Sequence, residues 1–91
     1  MTEEFREKFV ENLRNALLKK YGKIPSYTLI ANEFNLKASR CNPISPETAK
    51  RWLIGVSVPE LHRLAVLCQV LNVQPEYFIN TENYDLTQKI E

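Results

Sequence analysis

Only two glycines occur in the chain, Gly22 and Gly55, and each closes a stretch whose apolar residues have helical spacing. So little glycine leaves few positions for the positive φ of tight hairpins, which argues against a turn-rich β protein. It also excludes a Gly-rich phosphate loop. Glycine here stops helices, because it enters the left-handed conformation at least cost. Proline supplies the other punctuation: Pro25, Pro46, Pro59 and Pro75 each fall at or beside the start of a further apolar-periodic stretch.

Elements follow from these marks. Thr2, Glu3 and Glu4 read as a cap and an acidic first turn. Phe5, Phe9, Leu13, Ala16, Leu17 and Tyr21 then recur three or four apart, predicting a helix over 3–21. Ser26 offers a cap for a short helix over 27–35 with Ile30, Ala31 and Phe34 as its apolar members. Residues 36–43 carry no period and end in the turn signal Asn42-Pro43. Ser45-Pro46-Glu47 combines cap, first-turn proline and first-turn acid, and starts a helix over 45–54 with Ala49, Trp52 and Leu53 on one side. Ser57-Val58-Pro59-Glu60 has the spacing of a capping box ahead of Leu61, Leu64, Ala65, Cys68 and Leu71. Pro75 opens a last short helix with Tyr77, Phe78 and Ile79. The expectation is an all-α, compact five-helix domain over 1–79 and a short polar C-terminal tail over 80–91.

Ninety-one residues make one domain with a single core, too small for a deep enclosed active site. With 44% apolar and 25% charged residues the composition is globular, not disordered. Cys41, Cys68 and His62 cannot supply four zinc ligands, so no metal or other cofactor is expected. No nucleophile–base set stands out, and the expectation is that the protein is not an enzyme. Cys68 reads as core; Cys41, in the loop, reads as a plain thiol before a redox sensor. His62 reads as a surface residue away from other titratable groups. The longest unbroken apolar run, Leu64 to Cys68, is five residues, far below the ~20 of a membrane span. With an acidic, polar start and only two thiols, a cytoplasmic location without membrane contact is expected.

The formal net charge is only +1. Its distribution is uneven: residues 1–13 carry −2, residues 14–51 carry +6 and residues 52–91 carry −3. The basic middle covers both short helices. It is either an electrostatic footprint for phosphate or a lysine-rich solvated surface.

Those two helices have the makings of a helix-turn-helix. Ala31 is the small residue needed where the second helix crosses the first, and Ile44, Ala49 and Trp52 suit the buried positions. Ser45, Pro46, Glu47, Lys50 and Arg51 remain for the outer face. The stretch from Ile30 to Phe78 resembles the Cro/CI-type, lambda-repressor-like helix-turn-helix family of DNA-binding proteins. The likeness is carried by Ile30-Ala31, by Ile44 through Leu53, and by Gly55 and Pro59. It continues through Leu61, Leu64, Leu67, Leu71-Asn72-Val73 and Tyr77-Phe78. Two departures stand out. Nine residues, Asn35 to Pro43, separate Phe34 from Ile44, so either the first helix runs further or the turn is an expanded loop. The approach to the fourth helix has Val58 and Glu60 where the family often has basic residues.

The resemblance implies a sequence-specific DNA-binding transcriptional regulator, a bacterial or phage repressor, reading a palindromic operator as a homodimer through the helix at 45–54. Arg51 is the first candidate base reader, its fork suiting the O6/N7 edge of guanine; the alternative is a phosphate contact or an ion pair with Glu47. Glu47 can accept from cytosine N4 or orient Arg51, and Pro46 can pack on a thymine methyl or serve only the helix start. Lys50, Ser45, Thr48, Tyr27, Lys23 and Ser57 are candidate contacts to the DNA backbone, with a cap or a solvated polar group as the alternative. Trp52 is expected in the core before any base-stacking role. The dimer surface would use Tyr77, Phe78 and Ile79, or Tyr84, Leu86 and Ile90 in the tail. Two other functions compete: an antitoxin-like or phage protein whose main role is holding a protein partner, and a helical adaptor that binds no nucleic acid.

Overall fold

The computed structural model describes residues 3–38 and 42–78. Among them are four α-helices and one turn of 3-10 helix, with no strand: α1 (Glu3–Tyr21), α2 (Tyr27–Lys37), α3 (Pro46–Ile54), α4 (Leu61–Leu71) and the 3-10 turn (Pro75–Tyr77). The fold is all-helical, as expected, and its last element is a single 3-10 turn. The Thr2 cap, Ile79 and the tail lie outside the described residues.

Helix α1 buries Phe5, Phe9, Leu13, Ala16 and Leu17 along one stripe. It ends where Gly22 takes φ 79°, with the Gly22 N–H donating to the Leu18 carbonyl at 2.8 Å. Helix α2 starts under the Ser26 cap, whose hydroxyl accepts from the Leu29 N–H at 3.1 Å. It runs to Lys37, two residues past the expected end, so both alternatives for the connection are partly true. Phe34 meets Trp52 of α3, and Asn35 bonds Ile44 just ahead of it.

The core gathers around Phe34, which is fully buried. The Trp52 ring meets it edge-on at 5.6 Å between centroids, so Trp52 packs in the core. Ala31 is buried in the core, and α2 packs on both α3 and α4. Helix α1 closes over α3 and α4, and Arg14 reaches across to donate to the Leu53 carbonyl at 3.3 Å.

Helix α4 corrects one expectation. The capping box from Ser57 to Glu60 does not form; Glu60 is the N-cap residue, without a side-chain cap bond, and the helix begins at Leu61. The residue before a proline is pushed towards extended backbone, and here Val58 stands before Pro59 and packs on the core. The chain therefore enters α4 extended. Glu60 instead lies 3.5 Å from His62, which is exposed but not remote from titratable groups. Leu61 and Ala65, expected inside, are exposed; Leu64, Leu67, Cys68, Val70 and Leu71 are buried. Burial, with a smaller contribution from the Glu76 charge, pushes the Cys68 thiol up, which keeps it protonated and unreactive. Asn72 ends α4 at φ 59°, a left-handed position that asparagine tolerates.

The 3-10 turn is pinned from two sides. Phe78 is buried against Phe9, with ring centroids 5.3 Å apart, and Asn12 donates to the Tyr77 carbonyl at 3.0 Å. Tyr77 itself stays exposed and is not a core member. No helix among the described residues is long and apolar enough to cross a membrane.

Candidate nucleic-acid interface

Successive residues of a helix turn by about 100°, so the inward Ala49, Trp52 and Leu53 leave the opposite side of α3 to Glu47, Lys50, Arg51 and Ile54. All four of those are exposed, and Pro46 is exposed beside them. The outer face expected from the sequence is thus formed as a unit, with one addition. Ile54 continues it at seven residues from Glu47, a helical repeat visible in the sequence but masked there by its apolar character.

The start of α3 is tightly held. Ser45 caps it, its hydroxyl accepting from the Thr48 N–H at 3.3 Å and lying 3.4 Å from the Thr48 hydroxyl. The capping role of Ser45 is met, and Thr48 is half-buried beside it. One hydroxyl proton of the pair remains for an outside acceptor. Pro46 sits in the first turn, where its missing N–H costs nothing. Gly55 closes α3 at φ 81°.

Arg51 and Glu47 pair at 3.6 Å with both side chains well exposed. An exposed pair four residues apart is worth only about 0.3–0.5 kcal/mol. A bidentate guanine contact discriminates by about 1–3 kcal/mol, so the pair does not hold Arg51 back from such a ligand. Lys50 is exposed beside it.

The remaining candidates lie on other elements. Lys23 is exposed in the α1–α2 loop, Tyr27 is exposed at the first position of α2, and Ser57 is half-buried after α3. The Ser57 N–H donates to the Arg51 carbonyl at 3.4 Å, which ties that connection to the end of α3. The described contacts do not bring Lys23 or Tyr27 against the outer face of α3.

The basic middle of the sequence is carried by α1, the α1–α2 loop, α2 and α3. Arg14 donates to the Leu53 carbonyl, and Lys20 donates to the Val70 carbonyl and lies 5.6 Å from the Tyr21 ring centroid; both residues stay exposed and keep their charge. Partial burial, then the Glu33 charge, raises the Tyr21 hydroxyl above its ordinary value. Lys19 and Lys20 line an open cavity of about 760 Å³ with Ala16, Leu71 and Tyr77, to which α3 contributes no residue. Arg14, Lys19, Lys20, Lys23, Lys37, Lys50 and Arg51 are all exposed. Arg40 and Cys41 lie outside the described residues.

Sequence reading missed Asn35. Its side-chain amide donates to the Ile44 carbonyl at 3.0 Å and accepts from the Ile44 N–H at 2.8 Å. Nothing local marks it, since an asparagine near a helix end reads as a turn residue. Among the described residues no group of His, Cys, Asp or Glu is placed to hold a metal ion. Compared with known proteins, the chain matches no family model, no curated protein and no solved structure.

Proposed function

We propose that this protein is a sequence-specific DNA-binding transcriptional regulator, a repressor that acts as a homodimer on a palindromic operator and carries out no catalysis. The observation that supports this most is α3. It is a short helix packed against α2, and it presents Glu47, Lys50 and Arg51 to solvent while Ala49, Trp52 and Leu53 hold it from behind. An α-helix fits the major groove, where each base pair shows a distinct set of donors and acceptors. In this reading the compact domain is lambda-repressor-like, with the 3-10 turn in place of a fifth helix. Arg51 reads guanine, Glu47 and Pro46 flank it, and Lys50, Ser45 and Thr48 approach the phosphates. Tyr27, Lys23 and Ser57 extend the backbone contacts from neighbouring elements. No cofactor is required.

Selection of binding sites from random duplexes tests the proposal. Enrichment of a two-fold symmetric sequence supports it; recovery of unenriched sequence with no measurable affinity rejects it.

A second reading, an antitoxin-like or phage protein that chiefly holds a protein partner, has its own observation. Ile54, Val56 and Leu61 are each at least half exposed at or beside the α3–α4 connection. Apolar groups there suit a protein surface better than phosphate. A second small chain that co-purifies with the protein and blocks duplex binding would favour this reading.

A further inference from the structure

Asn35 lies within the last turn of α2, and Ile44 lies two residues before α3. The Asn35 amide satisfies both polar groups of Ile44, donating through Nδ2 and accepting through Oδ1, in a partly buried setting. The ring so formed spans nine residues of sequence. The Ile44 side chain is buried beneath it, and the next residue is the Ser45 cap.

We propose that Asn35 is a positioning residue for the outer face of α3: its amide clasps Ile44, so that α2, and not the course of the intervening connection, sets where α3 begins. The inference rests on the reading of α3 as the helix that reads DNA. Trp52 and Leu53 anchor the end of α3, and Asn35 holds its start. Glu47 lies five residues from Trp52, about 7.5 Å along the axis. A tilt of about 10° therefore moves it by about 1 Å, enough to spoil hydrogen bonds that tolerate only a few tenths of an ångström. Attraction to phosphates tolerates such a shift, because it depends on charge and not on register. The clasp thus governs discrimination between sequences more than affinity for DNA in general.

The test uses the full chain, Asn35→Ala and Asn35→Asp, with the duplex selected for the wild type and a random duplex. Amide exchange at Ile44 is read alongside. For Asn35→Ala the Ile44 amide is expected to exchange at least ~10-fold faster. The ratio of selected to random affinity is expected to fall about 10-fold, while random-duplex affinity stays within about 2-fold. Asn35→Asp keeps the acceptor and loses the donor; it carries the test if the alanine variant does not fold, and is expected to lose discrimination too. An unchanged Ile44 amide overturns the clasp. Faster exchange with an unchanged affinity ratio overturns the positioning role. A wild type that binds no duplex overturns the DNA reading and the positioning role with it, while the exchange measurement still decides whether the clasp exists.

Discussion

Two residues show how far a side chain's setting decides its role. Arg51 is exposed, and its ionic partner among the described residues is Glu47 on the same face, a pair weak enough for a base edge to displace. Arg51→Ala should weaken binding to the selected duplex by about 1–3 kcal/mol and blur preference at one base pair, measured by titration against duplexes varied at each position. Equal loss on selected and random duplexes would assign Arg51 to phosphate instead. Phe34 is the opposite case, wholly enclosed and touching the Trp52 ring. Phe34→Ala leaves a cavity at the α2–α3 contact and should cost about 3–5 kcal/mol in urea unfolding. The burial of Phe34 was legible from its spacing with Ile30 and Ala31, and the Arg51–Glu47 pair from their separation of four residues. Asn35 was not legible. Its partner lies nine residues away across a stretch without period, and hydrogen bonding through space leaves no mark on spacing.

The elements are mostly written in local signals, and their failures have local reasons. The capped start of α3 and its glycine stop appear where the residues predicted them, because a hydroxyl cap and a left-handed closing residue depend on a few neighbouring groups. Gly55 serves two needs at once. Its φ is 81°, and a Cβ there would meet Val10 Cγ2 at 3.1 Å. Gly55→Ala should cost about 1–2 kcal/mol from the backbone alone, read as a lower urea midpoint at unchanged slope. A loss below ~0.5 kcal/mol would mean that the α3 end relaxes to another conformation. The start of α4 was misplaced because the Ser57-to-Glu60 spacing is only a pattern. Val58, held extended by Pro59 and packed on the core, outweighs it.

For the whole molecule the decisive quantity is where charge ends up. The cations of the basic middle sit on α1, the α1–α2 loop, α2 and α3; Arg14 and Lys20 each donate to a carbonyl, on α3 and α4, and stay exposed. A regulator would meet phosphates through such exposed cations. Its affinity should fall with salt, with a log–log slope of about −0.9 per phosphate neutralised. Lys50→Ala should weaken binding to all duplexes alike and reduce that slope by about 1, whereas a helical adaptor would show no salt-dependent duplex binding. The sequence by itself determined the helical class, the approximate extent of α1 to α4 and the outward face of α3. Those follow from apolar period and from caps, which act over three or four residues. Only the tertiary structure decided that Asn35 closes the α2–α3 connection, that Arg14 reaches the Leu53 carbonyl and that Asn12 reaches the Tyr77 carbonyl. Each of these is set by groups far apart in the chain that meet only when the core around Phe34 is packed.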